Sequence, residues 1–262
     1  MKEIISRFES IAATATLAAL LVLLGGSAAR AQDTNAVAGT PVAVGNTATN
    51  PVPLGAGWIA RHNSFVAEAK KGGVDILFVG DSITDFWRNR GSNVWNAVYA
   101  PQHAANFGIN GDRTQHVLWR IDHGELDGIH PKVVVLMIGT NNTGKERDKK
   151  TPRNTPDQVI AGVTAVVNDI RAKLPDSKIL LLAIFPRGDG GPEQQAQIDE
   201  INPAIARLAD GRMVKFLDIG SKFLDSEGKV SEAVMPGLLH PNAKGYQIWA
   251  DAMNPTLDEM MK

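Results

Sequence analysis

Apolar residues fill positions 76–79 without interruption and stop at Gly80-Asp81-Ser82. A short apolar block closed by turn residues reads as a buried strand, and the segment behind it, 83–89, can begin a helix. Four more blocks of this kind follow, at 104–107, 132–138, 178–185 and 213–219. Between them the pattern changes to helical spacing. It does so over 113–121, over 156–174, where Val159, Val163, Val166, Val167 and Ile170 share one face, and over 193–208. An irregular stretch, 220–241, precedes a terminal helix predicted over 242–260. Strands alternating with helices predict an α/β fold, a parallel sheet with helices on both faces. In such sheets the ligand crevice lies beyond the C-terminal strand ends. Three polar, glycine-containing segments fall there: Gly80-Asp81-Ser82, 108–112 and 139–142.

The chain ahead of this domain is built differently. Lys2 and Arg7 precede an apolar run over 11–24, and small residues lead to Ala29-Arg30-Ala31. That is the order of a secretory signal peptide with its cleavage motif, and the run is shorter than the ~20 residues a spanning helix needs. The expectation is a signal peptide over 1–31, an Ala/Thr/Asn/Gly/Pro-rich flexible linker over 32–53, and one folded domain over 54–262, periplasmic or secreted and with no stable membrane anchor after cleavage. Net charge is −1 for the full chain, and removing the three basic and two acidic residues of the signal segment leaves −2. A near-neutral chain offers no electrostatic case for nucleic acid or an anionic membrane as partner. The absence of cysteine excludes thiol chemistry and thiolate metal sites.

A serine delivered by a strand to a turn can be a nucleophile, given a base within hydrogen-bond reach and donors for the developing oxyanion. Taken singly each candidate has a plainer reading. Ser82 reads more readily as a helix N-cap. The glycines of 108–111 can merely shape a turn, Asn141 suits left-handed backbone, and His240 beside Pro241 can be an ordinary loop residue. The dinucleotide fingerprint, the G-x-S-x-G elbow and H-E-x-x-H metal spacing are all absent, so no cofactor and no metal are expected.

Together, and in this order, Gly80-Asp81-Ser82, the segment 108–112, Gly139-Thr140-Asn141 and the late His240 resemble the four blocks of the SGNH, or GDSL, hydrolases. The run 106–114 with 116–120, and Pro186-Arg187-Gly188, are similar to the catalytic subunits of intracellular platelet-activating-factor acetylhydrolase. The resemblance implies a three-layer α/β/α sandwich about a five-stranded, mainly parallel, flavodoxin-like sheet. It also implies a serine esterase working through an acyl-enzyme on short, acetyl-type esters. It makes Ser82 the nucleophile, His240 its base, and the N–H groups of Ser82 and Gly111 with the Asn141 amide the oxyanion donors. Asp81, Asn110 and Arg187 are candidates for substrate contact, with Arg113 flanking the second block. The expected partner is a small-molecule or glycan ester, carbohydrate O-acetyl groups ahead of a lipid acetyl ester, and a homo-oligomer is open from the habit of these relatives.

One position departs from the pattern. Three residues before the histidine the family usually carries the triad aspartate, and here Gly237 stands there. A carbonyl or water orienting His240, an acid folding back from Asp225, Glu227 or Glu232, or an impaired enzyme are the readings this leaves. A ligand-binding protein that has lost the chemistry is the rival function.

Overall fold

The computed structural model describes residues 45–262, so the signal-peptide reading and most of the linker lie outside the described residues. Five strands, β1 (Ile76–Gly80), β2 (Ala104–Gly108), β3 (Val133–Met137), β4 (Lys178–Leu182) and β5 (Val214–Leu217), form one sheet in the order β2-β1-β3-β4-β5. Every pairing is parallel, with Gly80 level with both Gly108 and Met137. The "mainly parallel" expectation thus becomes wholly parallel. Because β1 lies between β2 and β3, the chain leaves its C-terminal end toward opposite sides. The crevice of a doubly wound sheet opens at such a reversal.

Among the described residues seven α-helices accompany the strands: α1 (Ala56–Ala69), α2 (Ser82–Asp85), α3 (Ser92–Val94), α4 (Thr114–Asp122), α5 (Pro156–Lys173), α6 (Gly191–Ile205) and α7 (Ala243–Met261). Side chains alternate across each strand, so the two faces build separate cores. Leu77, Val79, Val134 and Leu136 pack with Phe65, Val117, Val163 and Ile201 of α1, α4, α5 and α6. Ile76, Phe78, Val133 and Val135 pack with Ile83 of α2 and Tyr246, Trp249 and Met253 of α7. Burial on both faces explains why the three inner strands β1, β3 and β4 read as continuous apolar runs.

Two expectations change. Helix α1 has no counterpart in the sequence reading, because its start, Ala56-Gly57-Trp58, continues a glycine- and proline-containing stretch with no capping side chain. The linker does not run to Pro53 either. Thr47–Thr49 forms a 3-10 turn with Ala48 fully buried, Thr114 Oγ1 donates to the Ala48 carbonyl at 2.7 Å, and Asn154 Nδ2 donates to Thr47 Oγ1 at 2.8 Å. Gly162 permits this approach, since a Cβ there would lie 2.9 Å from the Ala48 oxygen. Short polar residues that make a tether when free also make good hydrogen bonds when docked, so composition could not separate the two.

Candidate active site

The turn that carries Ser82 is shaped by what glycine allows. A Cβ at Gly80 would lie 2.2 Å from Thr84 Oγ1 and 2.5 Å from the Met137 carbonyl, and one at Gly108 would lie 2.4 Å from the Asp85 nitrogen. The two strand-end glycines therefore let the single turn of α2 settle directly onto the sheet edge. Asp81 caps that turn, its Oδ1 accepting from the Ile83 N–H at 2.9 Å. Ser82 follows as the first helical residue, 5% exposed. Its Oγ lies 2.9 Å from His240 Nε2, a contact between residues 158 positions apart.

His240 is carried by a loop with two consecutive left-handed residues, Gly237 at φ 72° and Leu238 at φ 59°. A bulky residue in that conformation needs outside support. It comes from the loop after β4, where the Gly188 N–H donates to the Leu238 carbonyl at 2.9 Å. On the other side Asn242 caps α7 through the Gly245 N–H at 3.0 Å, and Tyr246 on that helix donates to the Ile83 carbonyl at 2.6 Å. His240 and Ser82 are thus tied together through α7. The His240 ring lies 4.9 Å from the ring of Phe86. Burial, then Arg90, hold its pKa below the ordinary histidine value, with Asp189 opposing and Arg187 assisting. The ring is accordingly neutral at neutral pH, with one nitrogen free to accept a proton.

Gly111 sits at φ 85° in an exposed turn, and a Cβ there would touch nothing within 4 Å. Asn141 Nδ2 donates to the Asp112 carbonyl at 2.9 Å and lies 3.5 Å from Asp81 Oδ2, which brings the third strand end to the other two. Among the described residues neither the Ser82 nor the Gly111 N–H has an acceptor. Asn110, Gly111, Arg113 and Asn141 line a groove of about 640 Å³ together with Glu146, Asp148 and the basic Arg147 and Arg153.

The other candidates settle differently. Asp81 is fully buried with its carboxylate turned into the α2 cap, so it is not placed for substrate contact. Burial pushes its pKa up to about 6 against the Ile83 N–H and Arg187, which pull it down. Arg187 is also buried. Its Nε and Nη2 both reach Asp189 at 2.7 Å and its Nη1 donates to the Thr140 carbonyl at 3.3 Å, so it braces two loops. Arg113 is held by two 2.7 Å hydrogen bonds to Glu146. None of the three acids considered for His240 reaches it: Asp225 accepts the Glu227 and Lys229 N–H groups, Glu227 pairs with Lys229, and Glu232 is exposed. Among the described residues nothing accepts from or donates to His240 Nδ1, and no group of three histidine or acidic side chains could hold a metal ion.

Sequence reasoning missed a buried charged cluster beneath the Gly111 turn. Trp58 Nε1 donates to Asp112 Oδ1 at 2.6 Å, and Arg120 Nη2 lies 3.0 Å from Asp112 Oδ2 while its Nη1 meets Glu125 and donates to the Phe107 carbonyl at 3.0 Å. Burial pushes the Asp112 pKa up to about 7, opposed first by Arg120. The available signal was Arg120 itself, at apolar helical spacing between Val117 and Ile121. Trp58, the other partner of Asp112, lies on the helix the pattern did not reveal.

Residues 78–248 match the GDSL-like Lipase/Acylhydrolase family. The chain is 35% identical over 207 residues to the human platelet-activating factor acetylhydrolase IB subunit alpha1, covering 77% of this chain and 85% of that protein. It is 38% identical over 193 residues to the rat alpha2 subunit, covering 72% and 78%. Among solved structures it shares its fold with a GDSL-like lipase from Bacteroides thetaiotaomicron (TM-score 0.60, 16% identity, 76% and 98% coverage) and with an acetyl xylan esterase (TM-score 0.57, 23% identity, 70% and 98% coverage). A match over nearly the whole folded unit, with the strand-end segments in order, places the chain in the GDSL-like lipase/acylhydrolase family, as an esterase homologous to the platelet-activating factor acetylhydrolase alpha subunits.

Proposed function

We propose that this protein is an exported serine esterase that removes acetyl groups from carbohydrate hydroxyls by a Ser–His mechanism. The observation that carries the mechanism is the 2.9 Å contact between Ser82 Oγ and His240 Nε2. Ser82 attacks the ester carbonyl while Nε2 takes its proton, and the tetrahedral oxyanion is received by the Ser82 and Gly111 N–H groups and the Asn141 amide. The imidazolium then protonates the departing alkoxide, leaving acyl-Ser82. Water, deprotonated by the same nitrogen, attacks that ester and releases the free acid and the serine hydroxyl. The arrangement is a dyad: Gly237 supplies no carboxylate to Nδ1.

Acetyl is supported by the names of the 35–38% identical relatives. A carbohydrate leaving group is supported by the signal-peptide pattern at the N-terminus and by the polar groove of Asn110, Arg113 and Glu146 beside Gly111 and Asn141. The test is hydrolysis of p-nitrophenyl acetate, then of acetylated oligosaccharides against an acetylated ether phospholipid. We expect p-nitrophenyl acetate turnover that Ser82→Ala abolishes, and preference for the saccharides. Equal rates for parent and Ser82→Ala would overturn the enzyme reading, and preference for the phospholipid would overturn the substrate class.

A further inference from the structure

The histidine of a hydrolytic dyad works through both ring nitrogens. Nε2 moves the proton, and an acceptor on Nδ1–H fixes the tautomer and stabilises the imidazolium. Here Nε2 is committed to Ser82, and among the described residues Nδ1, on the opposite side of the ring, has no protein acceptor. The loop leading to His240 is open where an acceptor would approach. Gly237 is exposed, and a Cβ built on it would meet nothing within 4 Å. The charged groups that act on the ring are Arg90, from the segment after α2, and Arg187 and Asp189, from the loop after β4. Asp189 gives both oxygens to Arg187 at 2.7 Å. Arg90 remains, 4.9 Å over the Phe86 ring that itself packs on His240. The imidazole, half-buried, thus has one cation near it that no acid neutralises, and among the described residues its Nδ1 has no hydrogen-bond partner.

We infer that a small free monocarboxylate, of the formate or acetate class, binds beside Nδ1 of His240 over the open backbone of Gly237 and completes the catalytic relay as a dissociable activator. This rests on the dyad mechanism proposed above. One carboxylate oxygen accepts the Nδ1–H, and the anion keeps its charge throughout. The Ser82 proton still travels only to Nε2 and on to the leaving alkoxide, so the activator is neither consumed nor protonated. Acetate, the product of the proposed reaction, belongs to the same class, and the enzyme would respond to its own product.

The experiment measures kcat for p-nitrophenyl acetate against added sodium formate, and separately acetate, with sodium chloride holding the ionic strength constant. A single free carboxylate held by one hydrogen bond and a nearby cation binds weakly, with a Kd on the order of 0.1 M. We expect saturable activation of about threefold or more by formate, none by chloride, and a shift of the acidic limb of the profile to higher pH as the anion raises the His240 pKa. Gly237→Asp, which places a permanent carboxylate at this position, should lose the activation, and Arg90→Gln should raise the half-saturating formate concentration. The His240 ring-nitrogen resonances of the parent protein should shift on formate addition and stay unmoved by chloride, which reads binding independently of turnover. Ser82-dependent hydrolysis with no response to formate overturns this inference and leaves the esterase reading intact. Activation that persists unchanged in Gly237→Asp overturns it as well, and no Ser82-dependent hydrolysis with or without formate overturns both.

Discussion

Ser82 and His240 need no further residue to exchange a proton, but a dyad and a triad differ in how well the imidazolium is stabilised while the oxyanion exists. Removing the triad carboxylate in the well-studied serine proteases costs about 10⁴ in turnover. Gly237 is the residue where this chain departs, and the reverse substitution should recover part of that factor. Aspartate tolerates left-handed backbone better than most residues, so φ 72° at this position does not forbid it. We expect Gly237→Asp to raise kcat for p-nitrophenyl acetate at neutral pH by about tenfold or more. The pH profile gives an independent sign. His240 titrates below its ordinary value through burial and Arg90, so the parent keeps its base unprotonated into mildly acidic solution. A new carboxylate beside Nδ1 favours the imidazolium, and the acidic limb of kcat/KM should move to higher pH. An unchanged rate and limb would mean that the ring is already oriented by another group.

At the scale of elements, the site depends on three strand ends being held level, and much of that is done by one side chain outside the proposed catalytic set. Asn142, one residue after the Asn141 donor, is fully buried at the end of β3. Its Oδ1 accepts from the Thr114 N–H at 3.0 Å, and its Nδ2 shares its two hydrogens among Thr114 Oγ1, Gln115 Oε1 and Asn154 Oδ1, each 3.0–3.1 Å away. It thereby clamps the start of α4, and with it the Gly111 turn, to the β3 end and to the approach of α5. Asn142→Ala removes the clamp and strands several buried polar groups. It should lower stability by about 2–3 kcal/mol in denaturant unfolding and lower kcat more than it raises KM, because the Gly111 donor drifts from the oxyanion position. Full activity with the stability loss alone would separate the clamp from the chemistry. Helices α2 and α7 are coupled in the same manner by the hydrogen bond from Tyr246 to the Ile83 carbonyl.

The molecule as a whole carries its buried acids at a cost that varies with pH. Asp81 is fully buried and titrates at about 6, whereas an unburied aspartate titrates near 3.8. Below that window both folded and unfolded chains hold the proton and the residue is neutral in each. As pH rises through it the unfolded chain ionises first, and the folded state loses stability relative to it until Asp81 also ionises. Asp81→Asn retains an oxygen to cap Ile83 but carries no charge. The variant minus parent difference in unfolding free energy should therefore move in the variant's favour by about 2–3 kcal/mol between about pH 4 and pH 8, the shifted groups common to both proteins cancelling. A flat difference would show that Asp81 ionises in the fold as readily as outside it.

The sequence by itself determined the sheet and the blocks at its edge. Strands β1, β3 and β4 are buried on both faces, so their apolar runs were unbroken and needed no tertiary information to locate, whereas β2 and the half-buried β5 carry Asn106 and Lys215. Residues 156–174 announced α5 through the spacing of Val159, Val163, Val166 and Ile170. Gly80 through Ser82, Gly111, Asn141 and His240 were legible through their joint resemblance, in order, to the four blocks of the GDSL hydrolases, since each taken singly had a plainer structural reading. Only the tertiary structure decided what depends on contacts between distant segments. Trp58 and Arg120 meet Asp112 under the Gly111 turn, Ala48 docks on Thr114 and Gly162, and Arg187 turns to Asp189 rather than to the crevice. Local composition cannot encode such pairings, because a buried arginine and a surface arginine are the same letter, and a glycine- or threonine-rich stretch is equally suited to a tether or a docked turn. The meeting of positions 82 and 240 belongs to both: residue types and order proposed it, and the placement of β1 between β2 and β3, with α7 packed back on α2, brings the hydroxyl and the imidazole within a hydrogen bond.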